Sequence, residues 1–251
     1  MMNPAEFANI ARCERDFWWY RGMEQILFRV LDPIAKRRPL KTAMEAGCGT
    51  GHMSSRLQRQ YGWQMFPTDL DREGLMYGLK NGFHQGMAQA DIAALPFPSQ
   101  WFDVVVSLDV IAHFSRGDEY RAFRELVRVL SPGGLLVLRV SALDILRSRH
   151  SEFTCERQRF TRKRLIDAVS SQGIRVLRCT YANSLLLPVA LTKFRIAEPL
   201  FRMKPSSGIR PVAGWLDKLL YSALRLEAAW LASGRNLALG QSLILIGERI
   251  A

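Results

Sequence analysis

The stretch MEAGCGTGHMSSRL, residues 44–57, decides the fold. Glycines stand at 47, 49 and 51, an acid, Glu45, precedes them, and a polar amphipathic run follows. Just upstream, KTAMEAG reads as a short buried strand running into glycine. Downstream, HMSSRLQRQYG reads as a helix closed by Gly62. A strand that ends in glycines and enters a helix offers bare backbone N–H groups and the positive end of a helix dipole. With no Cβ in the way, a flat ligand can lie against the main chain. The dinucleotide fingerprint is GxGxxG, whereas the spacing here is GxGxG, and a glycine triplet alone says little. Its meaning depends on the companions.

The first companion is Asp69, at the end of the second predicted strand, WQMFPTDL, and 18 residues after Gly51. An acid there can accept both ribose hydroxyls of a nucleoside. The second is Asp91, closing a short third strand, GMAQADI, where it can accept an exocyclic amine. A fourth strand, WFDVVVSL, is apolar without interruption, as in a strand covered on both faces. RGDEYRAFRELVRVLSPGG then reads as an amphipathic helix ended by Pro132-Gly133-Gly134, and LLVLRV as a fifth strand. TRKRLIDAVSSQG (helix), IRVLRCTYA and QSLILIGER (strands) complete the series. Strands alternating with helices predict an α/β fold, a doubly wound, mostly parallel sheet of seven strands, with its ligand at the carboxyl ends of the strands. Each acid also has a plainer reading: Glu45 as a strand-end acid, Asp69 as a cap for the helix near Asp71, Asp91 as a turn residue. Their occurrence together, in this order, favours the ligand-binding reading.

The same order resembles the class I S-adenosylmethionine-dependent methyltransferases, in particular the bacterial methyltransferase type 11-like group. Their first motif, an acid followed by GxGxG, corresponds to Glu45, Gly47, Gly49 and Gly51. Their ribose acid corresponds to Asp69 and their adenine-side acid to Asp91. LPFPSQWFDVVVSLDVIAHF and RELVRVLSPGGLLVL look like their fourth- and fifth-strand signatures. The resemblance covers about 40–182 strongly and the last strand weakly. It implies a Rossmann-like methyltransferase fold, S-adenosyl-L-methionine as cofactor, and a binding set that also includes Cys48, Leu70, Ile92 and Leu108. It further implies an N-terminal helix over the cofactor, in which Tyr20 and Arg21 of FWWYRG are candidates to touch the cofactor or the substrate. A surface patch is the competing reading for that aromatic cluster.

His113 follows the fourth strand on the ligand side, and its ordinary pKa suits a base near neutral pH. Asp109 is four residues earlier, so one helical turn would bring it alongside. A histidine base favours O-methylation of a small or amphiphilic acceptor. Two rivals remain: a catalytically silent cofactor-binding module, and a dinucleotide-dependent oxidoreductase, against which the GxGxG spacing and Asp91 speak.

Two helical patterns, near 4–13 and 15–31, precede this core, the second stopped by Pro33. The predicted organisation is an N-terminal helical cover at 1–39, the cofactor-binding core at 40–182, a helical insertion at 183–239 and the last strand at 240–251. The insertion interrupts the join between the last two strands, so strand pairing does not require it, and it is expected to hang off the sheet edge and shape the acceptor site. The net charge of +12 is uneven, with +11 of it carried by residues 145–251. That balance suits an anionic acceptor or peripheral membrane contact, or else a plain solvated surface. Nothing resembles a nucleic-acid module. The four cysteines form no CxxC pair and no metal-ligand cluster, and the N-terminus lacks a secretory pattern, so a cytoplasmic location is expected.

Overall fold

The computed structural model describes residues 3–82 and 86–250. Seven strands form one sheet: β1 (Thr42–Ala46), β2 (Gln64–Asp69), β3 (Ala88–Gln89), β4 (Phe102–Leu108), β5 (Leu130–Ser141), β6 (Ile174–Ala182) and β7 (Ser242–Arg249). Their order is β3-β2-β1-β4-β5-β7-β6, parallel except for β7, which runs antiparallel to both neighbours. The chain reverses its direction of travel across the sheet between β1 and β4, and there the carboxyl ends open a crevice. The glycine loop follows β1 directly and sits at that crevice.

Two apolar layers cover the sheet, as the period of two along each strand requires. Met44, Leu136 and Leu138 face one side, packed with Phe123 and Leu126 of α5 (Glu119–Val129) and Leu165 and Val169 of α7 (Arg162–Ser170). Ala43, Leu135 and Val137 face the other, against Ile26, Leu27 and Val30 of α2 (Trp18–Ala35) and Leu57 of α3 (His52–Tyr61). The remaining helices are α1 (Pro4–Cys13), α4 (Arg72–Lys80), α6 (Arg149–Phe153), α8 (Leu187–Thr192), α9 (Glu198–Leu200) and α10 (Gly214–Ala232), with a π-helical turn at Lys193–Ala197 joining α8 to α9.

Three expectations need correction. Helix α2 continues through Pro33 to Ala35: the proline lies in the last turn, where its missing N–H costs a single ladder bond before the helix ends anyway. Helix α5 ends at Val129, and Ser131-Pro132-Gly133-Gly134 belong to the irregular start of β5, with a register shift opposite Phe102–Val104. The 183–239 segment does not simply hang off the edge. Its helix α10 lies against α2, and its Leu224, Ala228 and Leu231 are buried in the same layer as Leu27 and Val30.

Candidate active site

The loop after β1 is shaped by its three glycines, all with left-handed φ, +84° at Gly47, +55° at Gly49 and +74° at Gly51. A Cβ at Gly47 would stand 2.0 Å from Val110 Cγ2, so this glycine is required by packing. A Cβ at Gly49 would meet only Phe7, at 3.8 Å, and would otherwise project into open space. Gly47 and Cys48 donate their N–H groups to the Thr68 carbonyl at 2.7 and 2.8 Å, tying the loop to β2. Gly51 is the N-cap of α3 and sits behind the loop rather than on the cavity wall.

Asp69 has two jobs. One carboxylate oxygen accepts the Gly49 N–H at 2.7 Å and the other accepts the Asp71 N–H at 2.8 Å. The acid thus holds the loop and, at the end of β2, also faces the cavity. Burial raises its pKa, while these two N–H donors pull it back down. The helix it precedes is capped by Asp71, whose side chain accepts from Glu73. Below the loop, Glu45 is buried and hydrogen-bonded to the Ser54 hydroxyl. Burial pushes its pKa up to about 8. Asp91 makes a tight turn, accepting from Ala93 at 2.8 Å with one oxygen, and is exposed.

A cavity of about 1040 Å³ opens over these groups. Glu45, Gly47, Cys48, Gly49 and Asp69 line its floor, and Leu70, Asp91, Ile92 and Leu108 its side. Helix α1 forms part of the roof through Phe7, and Glu14 bonds the Thr50 hydroxyl from above. Tyr20 also lines the cavity, edge-on to Trp19 at 5.1 Å. Arg21 does not. Its guanidinium pairs with Asp217 and lies 4.3 Å over the Tyr221 ring, so it joins α2 to α10.

His113 and Asp109 both line the cavity but are not hydrogen-bonded to each other. Asp109 has φ +64° and the short 3₁₀ turn begins only at Ile111, so the spacing of four is not helical. Asp109 instead accepts two hydrogen bonds from Arg139, at 2.6 and 2.9 Å. Arg139 is buried and stacks 5.1 Å from the Trp19 ring. His113 Nδ1 lies 3.3 Å from the Cys155 carbonyl. A carbonyl only accepts, so Nδ1 carries the proton, and in neutral imidazole Nε2 is then the free acceptor. Burial holds the His113 pKa below its ordinary value.

Sequence reasoning missed Phe7, Glu14, Arg139 and Asn183. Arg139 is a cation within the apolar run LLVLRV, which was a visible signal. Asn183, just past β6, has φ +57° and is buried on the cavity wall, and its Oδ1 has no partner among the described residues.

The cradle fits the adenosyl cofactor. Open space lies above Gly49 where a side chain would intrude, one acid ends β2 and another, Asp91, stands in the turn two residues past β3. Residues 44–138 match the protein family described as "Methyltransferase domain". The chain therefore carries a methyltransferase domain of the class I, S-adenosylmethionine-dependent kind, and the dinucleotide alternative falls. A Mycobacterium tuberculosis protein named "Probable S-adenosylmethionine-dependent methyltransferase" is 32% identical over 121 residues, 48% of this chain and 42% of that one. The malonyl-[acyl-carrier protein] O-methyltransferase of Enterobacter lignolyticus is 31% identical over 130 residues, 51% of each. A Mus musculus "Probable tRNA methyltransferase 9B" is 31% identical over 117 residues, 46% of this chain and 25% of that one. The chain thus spans between a quarter and about half of the length of these relatives.

Among solved structures, one described as "Complex between the Haloferax volcanii Trm112 methyltransferase activator and the putative methyltransferase" has a chain that aligns over 98% of its own length and 98% of this one, with a TM-score of 0.62 and 18% identity. A SAM-dependent methyltransferase from Archaeoglobus fulgidus aligns over 94% of this chain and 97% of its own, with a TM-score of 0.58 and 13% identity. At these identities the structures share the fold.

Proposed function

We propose that this protein transfers a methyl group from S-adenosyl-L-methionine to an oxygen of a small or amphiphilic acceptor. The observation that carries this reading is the continuity of the cavity. It runs from the glycine loop past His113 to an apolar wall that includes Leu186, Ala190, Phe194 and Leu216. Its volume exceeds what one drug-sized ligand usually needs, so a second, partly apolar molecule fits beside the cofactor.

Gly47, Cys48 and Gly49 hold the cofactor against bare backbone, Asp69 takes its ribose and Asp91 its adenine edge. The bound cofactor supplies an electrophilic methyl group on a sulfonium, so the protein's share is to position and desolvate the reactants. His113 Nε2 accepts the proton that a hydroxyl acceptor must lose. The Asp109–Arg139 pair and Trp19 form a fixed polar and aromatic wall next to it. The O-methyltransferase among the relatives supports the oxygen reading. The relative named for tRNA matches 46% of this chain, and the apolar far wall of this cavity favours the amphiphilic acceptor.

The test is labelled methyl transfer to lipid and small-molecule fractions of the host, comparing wild type with His113→Gln. Turnover of the variant falls about 10²–10⁴-fold with cofactor affinity little changed. In wild type the rate rises with pH through a midpoint below about 6.5, because burial favours the neutral imidazole, and the variant lacks this limb. A variant within a few-fold of wild type rules out the base. No transfer to any fraction, with cofactor bound, leaves the silent module as the reading.

A further inference from the structure

The segment between β6 and β7 exposes far more apolar surface than its neighbours do. Leu200, Phe201 and Trp215 are 70–73% exposed, and Leu226 and Val189 exceed 60%. Helix α10 is apolar on two opposite faces. Leu224, Ala228 and Leu231 bury one against α2. Trp215, Leu219, Leu226 and Trp230 lie on the other, within about 60° of arc at the helical advance of about 100° per residue. A helix that is apolar on both sides normally has both covered.

The charges of this segment have one sign at the surface. Residues 183–232 hold seven Lys and Arg residues, all exposed, among them Lys193, Arg202, Lys204, Arg210 and Lys218. The three acids of the same stretch are all engaged inward. Glu198 accepts the Arg149 N–H, Asp217 pairs with Arg21, and Glu227 accepts the backbone N–H groups of Asn183, Ser184 and Leu185. The outer face therefore combines Trp, Phe and Leu with unopposed cations.

The same residues reach the site. Val189, Lys193, Met203, Arg210 and Val212 are exposed and also line the cavity, so they stand at its mouth. Leu216 and Leu220, on the flank of the α10 stripe, continue the wall inward. Among the described residues no helix is long and apolar enough to cross a membrane.

We infer that residues 185–230 form a docking face for an anionic lipid bilayer, lying in its interface with the cavity mouth turned to the lipid. Aromatic and leucine side chains enter the headgroup–acyl boundary while the lysines and arginines meet the anionic headgroups. An acceptor dissolved in the bilayer then reaches the cavity without crossing water. The surface claim stands apart from the methyl-transfer reading, since binding is measured without turnover.

The experiment is co-sedimentation of the full chain with vesicles of phosphatidylcholine, alone or mixed with phosphatidylglycerol. Blue-shifted tryptophan emission provides a second readout. The chain pellets with the anionic vesicles, much less with the neutral ones, and is released as salt rises. The double variants Leu200→Ser/Phe201→Ser and Trp215→Ser/Leu226→Ser change exposed residues that do not line the cavity. Each lowers partition about tenfold or more, while melting temperature and S-adenosylhomocysteine affinity stay at wild type. If either variant fails to fold, Arg202→Gln/Lys204→Gln serves in its place, weakening anionic binding and flattening its salt dependence. Three results overturn the inference: no vesicle binding, binding indifferent to lipid charge, or variants that bind like wild type. A dimer at micromolar concentration that Trp215→Ser/Leu226→Ser makes monomeric also overturns it, and assigns the face to a second copy of the chain.

Discussion

Alanine at Gly47 and at Gly49 introduces the same methyl group two residues apart, with opposite expected consequences. Both residues have left-handed φ, which costs a non-glycine residue about 1–2 kcal/mol. At Gly49 that is nearly the whole structural cost, since the new Cβ meets one atom, Phe7 Cε1, at an ordinary 3.8 Å. At Gly47 the Cβ would overlap Val110 Cγ2 at 2.0 Å, and separating them to a normal contact needs a shift of well over an ångström in a loop tied to β2 at 2.7 and 2.8 Å. Overpacking of this kind adds about 1–3 kcal/mol. Gly47→Ala therefore destabilises by about 2–5 kcal/mol and Gly49→Ala by about 1–2 kcal/mol. Binding separates them the other way. The Gly49 methyl occupies the space above the loop, so Gly49→Ala loses S-adenosylhomocysteine affinity out of proportion to its stability. Thermal melts and titration calorimetry on both variants decide the matter. Full cofactor affinity in Gly49→Ala, or a wild-type melting temperature in Gly47→Ala, refutes this account of the loop.

Asp69→Asn keeps one acceptor oxygen and Asp69→Ala keeps none, so apo stability falls in that order, by about 1–3 kcal/mol for each N–H left unpaired, and cofactor affinity falls in both. Melts that leave Asp69→Ala as stable as wild type would remove its role in holding the loop. Glu45 is protonated in the folded apo protein up to about pH 8 but ionises near 4.5 when unfolded, so its contribution to stability is lost as pH rises across that window. Between pH 7 and 8 this group lowers apo stability by about 1 kcal/mol, and Glu45→Gln abolishes that slope. Identical pH profiles for the two proteins would count against the neutral carboxyl. Leu224→Ala, in a segment first read as dispensable for the sheet, costs about 2–5 kcal/mol in denaturant melts, because it empties a fully buried site between α10 and α2. A loss under 1 kcal/mol would return α10 to the status of an appendage.

The floor of the site was legible because its signals are local. GxGxG after an apolar run, the acid ending the next strand and the acid in the turn just past the third are set by chain geometry within a few residues. What failed depends on distant partners. The spacing of Asp109 and His113 suggested a helical turn, but Arg139, thirty residues on, takes the carboxylate and the backbone at Asp109 turns left-handed. Arg21 looked like a cofactor ligand beside Tyr20, yet its partner Asp217 lies in a helix almost two hundred residues away. Composition identified residues 183–239 as apolar and basic, but could not say which of two apolar faces α10 would bury. Pro33 was read as a stop because proline is a poor interior residue, and its place in the last turn was invisible without the helix end.

The strand order has a bearing on how the chain comes to be folded. β7 is made last, yet it lies between β5 and β6 and is the strand through which β6 joins the sheet. Until residues 242–249 leave the ribosome, β5 presents a bare hydrogen-bonding edge and β6 has no strand to pair with. Helix α2, made early, likewise waits for α10 to cover it. A nascent chain with the glycine loop already closed thus still carries an open edge and an uncovered helix, a state prone to mispairing with its own kind. The final strand acts as a latch, so the yield of native protein should respond to holdase chaperones and to synthesis rate more than the stability of the finished fold would suggest.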